Sequence, residues 1–273
     1  MRIGDVTIAR PAVMGILNLT PDSFSDGGRF IERDVALRQA QVMLDAGAAI
    51  IDVGGESTRP GADDVTVADE LDRVLPVIRA LRDLTDRPIS IDTGKPEVMR
   101  EAVAAGAAMI NDVRALRAPG AVEAAAELGV HVCLMHMQGE PRTMQTGPRY
   151  DDVVGEIAAF LAGRRDVCVA AGIDRHRILL DPGFGFGKTL AHNVELLANL
   201  RQLTELGQPL LVGLSRKAML GELTGRGVSE RLPASVAAAV IAVLHGASIV
   251  RAHDVGETVD ALHVARAFLD SGV

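Results

Sequence analysis

The stretch Gly106-Ala107-Ala108-Met109-Ile110-Asn111-Asp112 contains the unit from which the rest of the chain can be read. A helical segment ends at Gly106, because glycine takes the left-handed backbone that closes a helix. A short link follows, an apolar β-prone run begins at Met109, and the run stops on an amide and a carboxylate. The same mark recurs at Gly47, Gly129, Gly172, Gly207 and Gly246. In five of the six cases the residue three positions on is apolar: Ile50, Met109, Val132, Leu210 and Ile249. This is the helix-to-strand turn of a repeating βα unit.

Reading outward from these marks predicts eight strands, at 13–17, 50–53, 89–92, 109–113, 131–136, 178–181, 210–213 and 248–252. The segments between them carry helical periodicity, clearest in Val67, Leu71, Val74, Leu75, Ile78 and Leu81, with Pro76 bending that helix rather than ending it. Eight strands alternating with helices predict an α/β fold, a closed (β/α)8 or TIM barrel, although a doubly wound open sheet shows the same alternation. A chain of 273 residues suits a single barrel domain spanning 1–273, since such barrels run to about 250 residues. Ile3, Val6 and Ile8 around Gly4-Asp5 predict a short N-terminal β-hairpin that plugs the barrel's bottom.

Composition narrows the function classes. Hydrophobic residues make up 48% of the chain but aromatics only 3%, so the core is built from Ala, Val, Leu and Ile, as parallel strands buried on both faces require. The net charge of −8 argues against nucleic acid or a membrane surface as a partner, because phosphate-rich polymers select basic faces. Cys133 and Cys168 lie inside apolar segments and read as buried thiols of a reducing compartment. No apolar run approaches the roughly 20 residues that span a bilayer, and the start of the chain lacks the apolar core of a signal peptide. A cytoplasmic location is the expectation.

The chemistry lies in how the strands end. Their terminal residues are Asn18, Asp52, Asp92, Asn111, His136, Asp181, the Ser215-Arg216-Lys217 turn, and Arg251 with His253. A barrel gathers these carboxyl ends at one mouth, where barrel enzymes keep their sites. Taken singly, each has a plain structural reading. Asp181-Pro182-Gly183 is a turn, Asn111-Asp112 caps the next helix, His136 is a satisfied core histidine, and Asp52 supports loop amides. Taken together they form one polar constellation. Asp92, Asn111 and Asp181 supply what a flat amino-oxo heterocycle needs to be held by its edge. Arg251, His253 and Asn18 supply charge and donors for a diphosphate, and the turn at Ser215 opens a helix, where a carboxylate can bind.

Two long Gly/Pro-containing connections, at 18–28 and 54–61, follow the first two strands and read as functional loops. The stretch Gly183-Phe184-Gly185-Phe186-Gly187-Lys188-Thr189 imitates a nucleotide-binding loop. That pattern requires a glycine where Pro182 stands, so the stretch reads as a pocket wall in which Phe186 covers a bound ring.

Several of these segments carry a resemblance. Val13-Met14-Gly15-Ile16-Leu17-Asn18-Leu19-Thr20-Pro21-Asp22-Ser23-Phe24-Ser25-Asp26-Gly27-Gly28 and Ile51-Asp52-Val53-Gly54-Gly55-Glu56-Ser57-Thr58-Arg59-Pro60-Gly61 are similar to the two motifs of the dihydropteroate synthases, of the pterin-binding family. Ser90 to Thr93, Ile110 to Asp112, Leu134 to Gly139, Leu180 to Lys188, Leu214 to Lys217 and Arg251 to Asp254 follow in the same order. Gly94 and Ala252 depart from the commoner Ser or Met and Val, away from any proposed polar contact.

The resemblance implies a homodimer, Mg²⁺ as cofactor, and condensation of a pterin methyl diphosphate with 4-aminobenzoate. It implies that Asp92, Asn111, Asp181 and Lys217 bind the pterin, with Phe186 and Thr58 beside them. Arg251 and His253 would hold the diphosphate, with Asn18 as the metal ligand. Phe24, Thr58, Arg59, Pro60 and Ser215 would shape the aminobenzoate site, which sulfonamides imitate. Asp92, Lys217, Arg251 and His253 are the residues expected to act in catalysis. Two other readings keep the fold: a methyltetrahydrofolate-dependent corrinoid methyltransferase, which has no use for a diphosphate site, and a catalytically silent pterin-binding paralogue.

Overall fold

The computed structural model describes residues 1–19, 29–57, 64–140 and 142–271. Eight parallel strands close on themselves: β3 (Ala12–Asn18), β4 (Ile50–Gly54), β5 (Ile89–Asp92), β6 (Met109–Asp112), β7 (His131–Met135), β8 (Ile178–Asp181), β9 (Leu210–Gly213) and β10 (Ala247–Ala252). Each pairs with its neighbour in chain order, and β10 pairs with both β9 and β3, which removes the open-sheet alternative. All six punctuating glycines have positive φ, from 61° at Gly129 to 118° at Gly106.

Helices wrap the ring between strands: α1 (Arg29–Asp45), α2 (Val67–Leu84), α3 (Pro96–Ala104), α4 (Ala121–Leu128), α5 (Val153–Ala170), α6 (Leu190–Ala198), α7 (Leu200–Leu203), α8 (Ala218–Thr224), α9 (Leu232–Leu244) and α10 (Val255–Asp270). Helix α2 continues through Pro76, and its periodic Val74, Ile78 and Leu81 are buried against the sheet. Asp112 does not cap a helix as expected. Its two oxygens accept from the backbone N–H of Arg114 and Leu116, and so pin a turn in which Ala115 and Leu116 both have positive φ. No described helix is long and apolar enough to cross a membrane.

The hairpin forms from β1 (Arg2–Ile3) and β2 (Val6–Thr7). Ile3 and Ile8 are buried in one cluster with Ala12, Met14, Ile50, Met109, Cys133, Leu179, Leu211 and Ile249. These residues come from seven of the ring's elements and are inward-facing, so the hairpin closes the barrel's lower end with an apolar floor. Both cysteines are free and buried.

Candidate active site

Four strands carry a polar side chain two residues beyond a floor residue: Ile50 and Asp52, Met109 and Asn111, Leu179 and Asp181, Ile249 and Arg251. Residues two apart on a strand share a face, so a polar layer is stacked directly on the apolar one. Sequence alternation puts these four groups on the inner face, and the stagger of the strand register around the ring gathers them into one layer. Asp92, at the end of β5, joins them.

Arg251 ties the layer together. Its Nε donates to Oδ2 of Asp52 at 2.6 Å and its Nη2 to Oδ2 of Asp92 at 2.9 Å. Asn111 Nδ2 donates to the same Asp52 oxygen at 3.1 Å. Asp52 is fully buried, and its Oδ1 has no hydrogen-bond partner among the described residues. Sequence reasoning set Arg251 on a diphosphate beside Asn18 and His253. In the structure its guanidinium is paired with two carboxylates, the charges that ring closure brings within its reach. Asp52 supports this arginine and Asn111 rather than loop amides.

Burial pushes the Asp92 carboxyl up to about 7; Arg251 opposes the rise, and the neighbouring carboxylates Asp52, Asp112 and Glu70 add to it. Asp181 is pushed up to about 6 by burial, against the pull of the Gly183 amide and of Lys217, Lys188 and Arg251. Its Oδ1 accepts from the Gly183 N–H at 2.7 Å. Burial brings Lys217 down to about 8, although Asp181 and Asp92 favour its charged form. Its ammonium sits 4.0 Å from the centre of the Phe186 ring, within cation–π range.

A second cluster flanks the first. Ser215 Oγ lies 3.0 Å from Nδ1 of His253 and accepts from the His253 backbone N–H at 3.2 Å. Arg216, held at a positive φ of 59°, donates from Nε to Asp254 at 3.0 Å and from a second guanidinium nitrogen to the other oxygen of the same carboxylate. The loops after β9 and β10 are thus latched twice. Asn18 ends β3 beside Gly54, where a Cβ would lie 3.6 Å from both Asn18 Oδ1 and Asp92 Cβ, so the two side chains flank that glycine.

The structure therefore brings Asp92, Asn111, Asp181, Lys217, Arg251 and Phe186 to one end of the ring, with Ser215, His253 and Asn18 alongside. Phe24, Thr58, Arg59 and Pro60 lie outside the described residues. Sequence reasoning missed Lys188, whose buried ammonium contacts His136; only the imitation of a nucleotide loop drew notice to it.

Among the described residues no group of three or more His, Cys, Asp or Glu is arranged to hold a metal. Asn18 offers one neutral oxygen. Such a donor set suits a hard cation that keeps part of its water shell and takes the rest of its ligands from phosphate oxygens.

Comparison with known proteins agrees with this layout. The model of the pterin binding enzyme family matches residues 14–253. Dihydropteroate synthase of Escherichia coli (strain K12) is 55% identical over 264 residues, covering 97% of this chain and 94% of that protein. The Yersinia pestis dihydropteroate synthase, solved with a sulfonamide drug, superposes with a TM-score of 0.95 at 53% identity, over 99% of each chain. The Xanthomonas albilineans enzyme in complex with 7,8-dihydropteroate does so at 0.88 with 52% identity, over 97% of this chain and 95% of that one.

Proposed function

The chain belongs to the pterin-binding enzymes, among the dihydropteroate synthases, and from that premise we propose that it condenses (7,8-dihydropterin-6-yl)methyl diphosphate with 4-aminobenzoate, releasing pyrophosphate and 7,8-dihydropteroate. It is a transferase of folate biosynthesis. The observation that carries the reading is the polar layer: Asp92, Asn111, Asp181 and Arg251 converge above the apolar floor, with Lys217 and Phe186 forming one wall.

Asp181, with Asn111, holds the amino and oxo edge of the ring, and Lys217 lies against its face beside Phe186. The methylene–oxygen bond breaks as pyrophosphate leaves, and His253, positioned by Ser215, stands at the end of β10 to receive that anion. Asp92, ionised, faces the positive charge left on the pterin methylene. The arylamine nitrogen then forms the new bond and gives up a proton, which leaves with solvent or pyrophosphate. Asn18 would hold Mg²⁺, which when bound supplies charge neutralisation for the diphosphate. Thr58, Arg59, Pro60 and Phe24 complete the aminobenzoate side of this proposal.

A cytoplasmic homodimer belongs to the same reading. Val264 and Phe268 on α10 are 73% and 51% exposed, and Ile241 on the neighbouring α9 is also exposed, so a second copy would have an apolar face to cover. Light scattering at micromolar concentration tests it, and a monomer would count against it. Sulfonamides are expected to compete with aminobenzoate, and purely noncompetitive inhibition would refute that placement. The decisive experiment is a pyrophosphate-release assay with each substrate omitted in turn. Sustained release over many turnovers only when both are present supports the condensation; sustained turnover independent of aminobenzoate refutes it.

A further inference from the structure

Lys188 is 3% exposed, yet no step above uses it. Its Nζ donates to the carbonyl oxygens of Gly183 at 2.8 Å and Phe186 at 3.0 Å, and lies 3.0 Å from Nδ1 of His136. Burial brings the Lys188 amine down to about 7, while Asp181 favours its charged form; as an ammonium it has three hydrogens for these three partners. His136 is able to accept because burial, and then Lys188 itself, bring its imidazole down to about 3, leaving the ring neutral. The backbone N–H of His136 in turn donates to the Asp181 carbonyl at 2.9 Å, which joins the cluster to β8.

The loop at 183–187 has little backbone ladder of its own. Its carbonyls are taken by side chains from elsewhere: Lys188 at Gly183 and Phe186, Gln145 at Gly185 and Tyr150 at Gly187. Lys188 supplies two of these four. On the opposite side the loop faces Lys217, whose ammonium lies 4.0 Å from the Phe186 ring and whose Cδ lies 3.2 Å from where a Gly185 Cβ would be. A continuous line of contacts thus runs from His136 through Lys188 and the loop to Lys217. Close packing of backbone enforces it, since a Cβ on Gly183 would fall 1.9 Å from the His136 carbonyl oxygen.

We infer that Lys188 is a positioning residue of the pterin site: from beneath, it fixes the 183–187 loop so that Phe186 and Lys217 present one preformed wall to the bound ring. With all its hydrogens committed and almost no exposure, it acts through Phe186 and not on substrate. The inference rests on the pterin reading above, but its structural half can be tested without turnover.

The test combines Lys188→Met, Phe186→Leu and the double variant in the pyrophosphate-release assay, with amide hydrogen exchange at Gly183, Gly185 and Phe186 followed in the same proteins. A wall that touches the ring in both ground and transition states contributes uniform binding, so Lys188→Met is expected to raise KM for the pterin diphosphate about tenfold and leave kcat nearly unchanged. Phe186→Leu should raise the same KM, and the double variant should be no worse than the more severe single one, because both act at one place. Exchange at the three amides should accelerate in Lys188→Met while the barrel strands keep their protection. Lys188→Gln retains donors on a shorter arm and provides a milder variant should Met not fold; it should show the same pattern at smaller size. Losses that multiply in the double variant, or unaltered exchange at the three amides, overturn the inference. A wild-type protein that releases no pyrophosphate overturns the functional reading instead, and the exchange rates still decide whether Lys188 holds the loop.

Discussion

Arg251 Nε rests 2.6 Å from Oδ2 of Asp52, although 199 positions separate the two residues. Asp52 is buried and Arg251 is not wholly so, and the pair aims the other arm of the guanidinium at Asp92. A buried carboxylate used this way is a support for an arginine and, through it, for Asp92.

Asp92 is assigned to the charge that develops as pyrophosphate leaves. Asp92→Asn keeps the shape and removes that charge, so kcat should fall by about a hundredfold or more while KM for either substrate changes little. Steady-state kinetics check this; a raised KM with normal kcat would show that Asp92 merely binds.

The pH dependence follows from the same group. With its carboxyl at about 7, Asp92 becomes ionised as pH rises through that value, so kcat/KM should climb on an acid limb there. Asp52→Asn removes a like charge and releases Arg251 to Asp92 alone; both effects favour ionisation, and the limb should move to lower pH. The sign for stability is opposite to that of an ordinary paired carboxylate. The folded value lies above the unfolded one of about 3.9, so the folded chain binds the proton more tightly, and the Tm of the wild type relative to Asp92→Asn should fall as pH rises from about 4 to about 7. A limb unmoved in Asp52→Asn would separate Asp92 from this titration.

Ser215 and His253, which we propose for the aminobenzoate and diphosphate sides of the site, meet in one 3.0 Å contact. Ser215→Ala should therefore raise KM for aminobenzoate and also weaken product inhibition by pyrophosphate, each by up to about tenfold. An effect on aminobenzoate alone would mean that His253 is held without the serine.

The floor should answer to packing and not to chemistry. Ile3 is fully buried, and Ile3→Ala should cost about 2–5 kcal/mol in denaturant unfolding while KM for both substrates stays at its wild-type value. A changed KM would mean that the hairpin communicates with the mouth.

Much of the barrel was legible because its signals are local. A glycine stop, an apolar run and a polar end are all read within a few residues, and strands 89–92, 178–181 and 210–213 match the structure residue for residue. Elsewhere the edges shift by a residue or two: β3 gains Ala12 and Asn18, and β7 ends at Met135 rather than His136. Partner choice was not legible. The sequence sets Arg251 toward a diphosphate, and only closure of the ring brings Asp52 and Asp92 within its span as well. Asp112 looked like a helix cap but holds a turn, since the following helix begins at Ala121 and cannot be reached from Asp112. Lys188 was hidden because its partners are mostly backbone carbonyls, which leave no trace in residue identity.

The hairpin sealed by Ile3 and Ile8 makes the two ends of the barrel unequal for anyone attaching something to this protein. A tag or carrier joined ahead of Met1 would emerge beside the stoppered end, about 20 Å from the mouth, judging by the length of a seven-residue strand such as β3. Immobilisation through that terminus should leave both substrates free passage.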